Sequence, residues 1–196
     1  MEVNKIHERG YWLMNDNSQH LFDKKLCDAI RFLCDHWKVR KIIDIGCGKG
    51  DYTKFLGRYG FTCYGYDGNP NTKRLSGNTC SVQDFSVPVD LGKHDLVLCL
   101  EVGEHIPAEY ESVFFENIIN AAKSRVILSW GVPGQDGFGH VNNRDNDYVI
   151  DKMADNGFNY DSNSSVYLRS SSTLSWFKHT IMCFYKLKQT NDKSKN

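Results

Sequence analysis

The 196-residue sequence lacks several features that would assign it to a special class of protein. Its four prolines and sixteen glycines form no repeat, which excludes a collagen-like or low-complexity chain. The longest apolar run near the middle, Leu96–Leu100, is far shorter than the roughly 20 residues of a membrane-spanning helix. The opening residues Met1–Lys5 lack the apolar core of a signal peptide. We therefore expect a cytoplasmic protein without a membrane partner.

The sequence also has no net charge, because 24 Lys and Arg residues balance 24 Asp and Glu residues. This balance argues against capture of nucleic acid by bulk positive charge, so DNA is not an expected partner and RNA is disfavoured. Seven cysteines contain no C-x-x-C pair, which predicts reduced, mostly buried thiols in an intracellular protein. The length predicts one domain over residues 1–188, with a cap segment at 1–18 and a disordered tail at 189–196. The oligomeric state is not specified.

Short apolar strands alternate with amphipathic helices along the chain. Strands are predicted at 41–45, 61–66, 81–83, 96–100, 125–130, 158–160 and 180–187, and helices at about 22–37, 52–59, 110–122 and 149–154. Ser18 is a candidate N-cap of the first helix. The alternation predicts an α/β fold whose mostly parallel sheet is covered on both faces, with the last two strands antiparallel at one edge. The serine-rich stretch 162–175 is compatible with a loop, a lid or a short helix.

The most specific signal is a D-x-G-x-G-x-G pattern at residues 44–50, which joins the first strand to a helix. Only glycine lets a ligand touch the backbone in such a turn, and ligands of open α/β sheets bind beyond the carboxyl ends of the strands. Asp44 would repel a pyrophosphate and suits a cofactor that carries an ammonium and a sulfonium. Asp67, 19 residues beyond Gly48 and at the end of the second strand, is a candidate acceptor for ribose hydroxyls.

This pattern resembles the first motif of class I S-adenosylmethionine methyltransferases, and the resemblance extends over roughly residues 20–187. It implies a Rossmann-like, seven-stranded, mostly parallel sheet with helices on both faces and an antiparallel last strand. It also implies S-adenosylmethionine as cofactor and in-line attack of a nucleophile on its methyl group. Asp84 would contact the adenine amino group. The implied cofactor-binding residues are Asp44, Gly46, Cys47, Gly48, Gly50, Asp67, Gly68, Asp84, Phe85 and Glu101. A structural turn with two surface acids is the alternative interpretation.

The segment after the fourth strand narrows the acceptor chemistry. It lacks the Asp/Asn-Pro-Pro-aromatic turn of N6-adenine and N4-cytosine DNA methyltransferases, and no cysteine follows a proline as in cytosine-C5 enzymes. Instead, Glu101, Glu104 and His105 resemble the E-x-x-E-H pattern of two O-methyltransferase groups. One group makes ubiquinone precursors, and the other methylates the 2′-hydroxyl at the 3′ end of small RNAs. In the RNA enzymes these residues and a second histidine, here His140, bind a divalent metal.

The resemblance implies a metal site of Glu101, Glu104, His105 and His140, a set that suits Mg²⁺, Mn²⁺ or Zn²⁺. A metal on a sugar hydroxyl would acidify it. His105, His140 and Glu104 are the candidate catalytic residues, and either histidine is also competent as a metal-free general base. A purely structural role is the third interpretation. The 35-residue spacing between the histidines is shorter than expected for the RNA enzymes, and no basic surface for RNA ends is evident.

The glycine-rich turn 130–137 lies where the family forms its acceptor pocket. Trp130, Asn142 and Asn143 are candidate substrate residues, because an aromatic face and amides suit sugar hydroxyls; core packing is the alternative for Trp130. Three N-terminal side chains are candidates to close over the methionine end of the cofactor: Tyr11, Trp12 and His20. For Trp12 the alternative is packing into the core. The leading hypothesis is O-methylation of a hydroxyl on a small molecule or glycan; the others are RNA 2′-O-methylation and a catalytically silent cofactor-binding subunit.

Overall fold

The computed structural model describes residues 5–16 and 20–186. Its elements in chain order are α1 (Lys24–Trp37), β1 (Lys41–Ile45), α2 (Asp51–Arg58), β2 (Thr62–Asp67), α3 (Thr72–Leu75), β3 (Ser81–Val82), β4 (His94–Cys99), two 3-10 turns (Gly103–His105 and Ala108–Tyr110), α4 (Glu111–Ala121), β5 (Ala122–Leu128), α5 (Asn146–Asp155), β6 (Phe158–Tyr160), α6 (Ser162–Ser171), α7 (Phe177–Thr180) and β7 (Met182–Lys186). None of the helices among these residues has the length and apolarity needed to cross a membrane.

The strands form one seven-stranded sheet in the order β3-β2-β1-β4-β5-β7-β6. The first five strands are parallel, whereas β7 pairs antiparallel with both β5 and β6. This arrangement confirms the predicted Rossmann-like sheet with an antiparallel last strand. The strand order reverses between β1 and β4, and in open α/β sheets such a reversal opens a ligand crevice beyond the carboxyl ends of the strands.

Both faces of the sheet are buried, because successive side chains of a strand point to opposite sides. In β1, Ile42 packs with the apolar residues of α1, α2 and α6, whereas Ile43 packs with those of α4 and α5. Leu96 and Val97 divide in the same way in β4. Burial on both faces explains the continuous apolar runs in the sequence and holds the strand ends that carry the site in fixed positions.

Several element boundaries differ from the prediction, and those of β5 and of the first helix differ for identifiable reasons. β5 begins at Ala122 and ends at Leu128, so Trp130 lies beyond the strand rather than within it. The polar residues at the start of β5 contact Asp95 of β4: Lys123 pairs with the Asp95 carboxylate at 3.2 Å, and the Ser124 hydroxyl donates to the Asp95 carbonyl at 2.8 Å. Apolar periodicity does not reveal pairing of this kind.

The first helix begins later than predicted. Its N-cap is Asp23, whose carboxylate accepts a hydrogen bond from the Leu26 N–H at 3.0 Å. The predicted cap, Ser18, lies outside the described residues, as does the predicted tail at 189–196. The serine-rich stretch contains α6, which Asp161 caps by accepting from the Ser164 N–H at 3.1 Å. Of the three structures that its composition allows, the stretch therefore adopts a short helix.

Candidate functional site

A cavity of about 390 Å³ lies beyond the carboxyl ends of β1, β2 and β4. Its walls come from the strand ends, the glycine turn at 46–50, the 3-10 turn at 103–105, the loop after β5 and the N-terminal segment. Of the predicted cofactor-binding residues, those that line it are Asp44, Gly46, Cys47, Gly48, Asp67, Gly68, Asp84, Phe85 and Glu101. Gly50 does not line it, because it is the N-cap of α2. The volume suits a small-molecule ligand.

The glycine turn leaves no room for side chains at two positions. Gly46 has a φ of 73°, and a Cβ added there would lie 2.2 Å from Cγ2 of Val102. Gly48 has a φ of 54°, and a Cβ there would lie 2.6 Å from Nδ1 of His20. Both positions therefore require glycine on conformational and steric grounds. The bare backbone faces the cavity, where a cofactor can approach it closely.

Asp67 fixes this turn against the end of β2. Its Oδ2 accepts from the Gly48 N–H, and its Oδ1 accepts from the Asn69 N–H, both at 2.9 Å. A carboxylate oxygen can accept more than one hydrogen bond, so both oxygens keep acceptor capacity toward the cavity. The geometry is compatible with the predicted role of Asp67 toward ribose hydroxyls, which stays a prediction.

Asp44 is a buried carboxyl group on the cavity wall. Burial raises the pKa of Asp44 to about 7, although the Thr53 hydroxyl, which donates to its Oδ2 at 2.7 Å, acts in the opposite direction. A positive charge in the cavity would favour the ionised form and return the pKa toward its usual range. Asp44 is therefore suited to bind the ammonium of an amino-acid-like ligand.

Asp84 is held by donors from two separate segments. Its Oδ1 accepts from the N–H and the hydroxyl of Ser86 at 2.8 and 2.7 Å, and its Oδ2 accepts from the Arg9 guanidinium at 3.0 Å. Burial acts to raise the pKa of Asp84, but these donors outweigh it and hold the pKa below the usual value. The contact with an adenine amino group stays a prediction.

Residues 6–12 form an N-terminal hairpin, closed by a β-bridge between Ile6 and Trp12. The hairpin approaches the backbone of the 3-10 turn closely: a Cβ added to Gly10 would lie 2.0 Å from the carbonyl oxygen of His105. Tyr11 lies over Gly68, where a Cβ would come within 2.5 Å of the Tyr11 Cβ. The hairpin thus forms one wall of the cavity, as the predicted cap segment would.

Trp12 lies on the cavity wall and is half-buried, so the alternative of core packing is wrong for this residue. Its ring centroid lies 5.1 Å from that of His20, 5.4 Å from that of His105 and 5.9 Å from that of Phe138. Tyr11 and His20 line the same cavity. The three N-terminal candidates therefore face the site together.

Glu104, His105 and His140 form a cluster in which one potential ligand atom from each lies within 4.8 Å of the others. We call this the Glu–His cluster. The two imidazole centroids are 4.9 Å apart, with an interplanar angle of 85°. The loop after β5 brings His140 into place, because the N–H groups of Val141 and Asn142 both donate to the Glu104 carbonyl at 2.9 Å. Two residues that are distant in the sequence thereby meet.

Backbone carbonyls fix the tautomers of both histidines. Nδ1 of His105 lies 3.2 Å from the Gly139 carbonyl oxygen, and Nδ1 of His140 lies 3.2 Å from that of Gln135. A carbonyl can only accept, so each Nδ1 carries the proton and each Nε2 keeps its lone pair. Burial, reinforced by His140, lowers the pKa of His105 to about 4. His105 is therefore neutral at physiological pH.

Glu104 is fully buried, and neither carboxyl oxygen has a hydrogen-bond partner among the described residues. Nε2 of His140 lies 3.9 Å from Oε1 of Glu104. Burial, together with the charge of Glu101, raises the pKa of Glu104 well above its usual value. A buried carboxyl without partners is costly, and it is the kind of group that functional sites retain to bind a proton, a cation or a substrate.

Glu101, the fourth predicted metal ligand, does not join the cluster among the described residues. Its two carboxylate oxygens accept from the Gln135 amide at 2.7 Å and from the Thr180 hydroxyl at 3.2 Å. Its φ of 52° and its N–H bond to the Ser129 hydroxyl fix its backbone. The structure thus brings together three of the four predicted metal ligands. Two imidazole nitrogens and one carboxylate are a suitable donor set for a divalent transition metal.

The predicted substrate residues do not line the cavity. Trp130 is fully buried, stacks on Phe115 with a centroid distance of 5.3 Å, and donates its indole N–H to the Asn142 carbonyl at 2.7 Å. The side-chain amide of Asn142 donates to Glu111, and that of Asn143 donates to two carbonyls of the same loop, all at 2.9 Å. Core packing is thus the observed role of Trp130, and Asn142 is buried with its amide already bonded. The side-chain oxygen of Asn143 has no hydrogen-bond partner among the described residues, and its contact with an acceptor stays a prediction.

Three residues at the site were not predicted from the sequence: Leu21, Phe138 and Arg9. Phe138 and Leu21 line the cavity while 45% and 59% exposed, and they form an apolar rim. Phe138 could have been predicted as a cavity residue, because it is an aromatic residue within a glycine-rich loop. Arg9 could not have been predicted in this way, because it reaches Asp84 from 75 residues away in the chain.

Comparison with known proteins identifies the family to which this chain belongs. Residues 18–136 match a family model described as a methyltransferase domain. The chain is 28% identical over 109 residues to a chloroplastic tocopherol O-methyltransferase of Arabidopsis thaliana, a match that covers 47% of this chain and 31% of that protein. It is 28% identical over 104 residues to a probable tocopherol O-methyltransferase of rice, covering 46% and 29%. The matched part spans about a third of the length of these relatives.

Solved structures share the fold. Magnesium protoporphyrin IX methyltransferase from Synechocystis, with bound S-adenosylmethionine, aligns with a TM-score of 0.63 at 21% identity and covers 82% of this chain and 78% of that chain. A sugar N-methyltransferase from Streptoalloteichus aligns with a TM-score of 0.67 at 12% identity, covering 88% and 90%. At these identities the likeness shows a common fold and does not extend to the acceptor.

Proposed function

This chain belongs to the methyltransferase domain family and is a class I S-adenosylmethionine-dependent methyltransferase, and from that premise we propose that it methylates a neutral hydroxyl on a small molecule or a glycan. The Glu–His cluster carries the proposal. A neutral hydroxyl must lose its proton as it attacks a methyl group, so its methylation needs a proton acceptor beside the methyl donor. His105 and His140 line the cofactor cavity, and Glu104 lies behind them.

His140 is the proposed general base. Its Nδ1 faces the Gln135 carbonyl, which leaves Nε2 for the proton, and the Glu104 carboxyl 3.9 Å away would in its ionised form stabilise the resulting imidazolium. His105 is a poor base, since burial lowers its pKa to about 4. The Gly139 carbonyl fixes its ring, so that its Nε2 can accept a hydrogen bond from the acceptor hydroxyl and orient it.

The same three side chains also fit a divalent metal. Two Nε2 lone pairs and a buried carboxylate without partners among the described residues form the donor set, and Glu104, His105 and His140 would hold the ion. Because two donors are imidazoles, the set favours Zn²⁺ or Mn²⁺ over Mg²⁺. A bound metal would act as a Lewis acid that lowers the pKa of a hydroxyl ligand.

The cavity wall favours an uncharged acceptor with an apolar face. Lys49 is the one basic side chain on the described wall apart from the histidines, and it pairs with Asp51 at 3.2 Å, whereas several carboxyl groups line the same cavity. A polyphosphate would be repelled. Trp12 and Phe138 instead offer surfaces on which a sugar C–H face or a phenol ring can stack. The name of the tocopherol O-methyltransferase relatives agrees with an oxygen acceptor.

A screen for methyl transfer tests this proposal. The protein is incubated with methyl-tritiated S-adenosylmethionine and with sugars, phenols, matched amines and RNA 3′ ends, each with and without EDTA. We expect label on a hydroxyl compound, with EDTA sensitivity if the cluster acts through a metal and none if His140 acts directly. Transfer to amines alone would overturn the proposal.

The two remaining hypotheses are outcomes of the same screen. RNA 2′-O-methylation requires label on RNA 3′ ends and salt-sensitive RNA binding. A silent partner subunit requires S-adenosylhomocysteine binding in calorimetry without transfer to any acceptor. A cytoplasmic location stays part of the proposal and rests on cysteine spacing that does not suit a disulfide framework.

A further inference from the structure

Cys47 and Cys80 lie side by side at the glycine turn. A Cβ added to Gly65 would lie 3.1 Å from Sγ of Cys47 and 2.5 Å from Sγ of Cys80. The two sulfur atoms are therefore no farther apart than the sum of these distances, 5.6 Å. A hydrogen bond from the Cys47 thiol lowers the pKa of Cys80, although burial acts in the opposite direction, and the same bond together with burial raises the pKa of Cys47. The two thiols are neighbours, and a disulfide between them requires the sulfurs to move closer together.

The two sulfurs occupy different positions relative to the cofactor. Cys47 belongs to the glycine turn, is half-buried and lines the cavity. Cys80 is only 3% exposed, and its N–H donates to the Ser76 hydroxyl at 3.0 Å. The Cys80 sulfur occupies the space beside Gly50 and Gly65, because a Cβ on either glycine would lie 2.5 Å from it. Cys80 is thus held in place by burial and a hydrogen bond, whereas Cys47 lies between Gly46 and Gly48, whose backbone can adopt other conformations more easily.

We propose that a hydroperoxide, such as hydrogen peroxide, converts Cys47 and Cys80 into a reversible disulfide that draws the glycine turn away from the cofactor and weakens its binding. This regulation rests on the cofactor cavity of the proposed function and not on the identity of the acceptor. An S–S bond is about 2.05 Å long, so the sulfurs must approach each other when it forms. The approach displaces the turn whose Gly48 N–H contacts Asp67, on the ribose side of the predicted site.

The reaction balances in two steps. The Cys47 sulfur attacks the O–O bond of hydrogen peroxide, a sulfenic acid forms, and the departing hydroxide takes the thiol proton and becomes water. The Cys80 sulfur then attacks the sulfur of the sulfenic acid, the S–S bond forms, and a second hydroxide leaves and takes the Cys80 proton. The two thiols lose two electrons, and the peroxide is reduced to two waters.

Binding and oxidation must influence each other equally. If the disulfide weakens cofactor binding by a given factor, saturating cofactor shifts the thiol–disulfide equilibrium toward the thiols by the same factor. For this two-electron couple a tenfold effect corresponds to about 30 mV. Bound cofactor would also cover Cys47 on the cavity wall and slow its oxidation.

Peptide mapping and calorimetry on the full chain test the proposal. After peroxide treatment we expect a Cys47–Cys80 disulfide and an S-adenosylhomocysteine affinity about tenfold lower, which is the usual size of coupling between sites, with recovery in dithiothreitol. Cys47→Ser, which removes the sulfur that peroxide attacks, should bind S-adenosylhomocysteine equally before and after peroxide. Cys63→Ser, which changes a half-buried cysteine off the cavity wall, should respond as the wild type does. A thermal melt of each variant establishes that it is folded.

Two results would overturn this inference. One is the absence of a Cys47–Cys80 disulfide in peptides from fully oxidised protein, and the other is an unchanged affinity once that disulfide has formed. Failure of the reduced wild type to bind S-adenosylhomocysteine would instead contradict the cofactor assignment, and the peptide map would still report whether the disulfide forms. The two failures are therefore distinguishable.

Discussion

At the scale of single residues, the ionisation of Asp44 connects the cavity to solvent pH. Burial raises its pKa to about 7, so in the free protein the carboxyl is largely protonated on the acid side of that value. Binding of an ammonium requires the ionised form. The ligand must therefore displace a proton below pH 7, whereas above it the carboxylate is already present.

The ionisation of Asp44 should make the affinity for S-adenosylhomocysteine depend on pH. We expect the dissociation constant of S-adenosylhomocysteine to be nearly constant above pH 7 and to rise toward about tenfold per pH unit below it, as displacement of one proton requires. Calorimetry across this range measures the profile. Asp44→Asn should bind weakly with no such slope, while Asp136→Asn, which changes an exposed carboxyl on the cavity wall, should keep it. A flat profile in the wild type would show that Asp44 does not bind the ammonium.

Residue chemistry explains why some predicted site residues lie on the cavity wall and others lie in the core. The position of Asp44 and Asp67 on the cavity wall could be predicted, because they lie at or near the carboxyl ends of β1 and β2, where an α/β sheet binds its ligands. Trp130 also follows a strand, yet a large aromatic side chain gains more by burial in the core than by lining a cavity. The sequence pattern does not tell whether an aromatic residue at this position enters the core or lines the cavity. A carboxyl group in the core is costly, so even the buried Asp44 lies on the cavity wall.

At the scale of elements, the N-terminal hairpin depends on the contact of Gly10 with the His105 carbonyl. A methyl group at Gly10 would overlap that oxygen, at 2.0 Å, so Gly10→Ala should displace the hairpin from the cavity and speed the release of S-adenosylhomocysteine. Gly60→Ala is a matched control, because Gly60 has a similar φ of 87° but no atom within 4 Å of the added Cβ.

Both alanine variants carry a left-handed backbone strain of about 1–2 kcal/mol, so their unfolding free energies should fall by similar amounts. Only Gly10→Ala should change the dissociation rate, measured by stopped-flow fluorescence. Equal dissociation rates in the two variants would mean that the hairpin does not retain the ligand.

Asp23 joins α1 to the loop that follows α6. Besides capping α1, its carboxylate accepts from the N–H groups of Thr173 and Leu174 at 2.6 and 3.0 Å and from the Ser172 hydroxyl at 2.6 Å. Burial acts to raise the pKa of Asp23, but these hydrogen bonds prevail and lower it to about 2. Its contribution to stability is therefore fully present above about pH 4 and is lost as pH falls toward 2.

Asp23→Ala should lower the free energy of unfolding by about 3 kcal/mol, because it removes a helix cap and leaves buried backbone donors without partners. Urea denaturation measures this loss. Asp28→Ala, which removes a half-exposed partner of Lys24 on the same helix, should cost less than about 1 kcal/mol. Similar losses in both variants would contradict the structural role of Asp23.

At the scale of the whole molecule, the sheet was predictable because its strands are apolar on both faces and alternate with helices. The contact between His105 and His140 could not be predicted from their separation of 35 residues in the sequence. It depends on backbone hydrogen bonds from Val141 and Asn142 to Glu104, which carry no side-chain signal in the sequence. The resemblance to E-x-x-E-H sequences supplied this pairing, while the separation of Glu101 from the cluster follows from its bonds to Gln135 and Thr180.

The most direct test is methyl transfer across the whole acceptor panel by His140→Ala, compared with His36→Ala, which changes an exposed histidine of α1. Loss of the proposed base should reduce label incorporation by about 10²- to 10⁴-fold, the usual contribution of general base catalysis. The affinity for S-adenosylhomocysteine should stay unchanged, and His36→Ala should match the wild type. Full transfer by a folded His140→Ala protein would contradict proton removal by the Glu–His cluster.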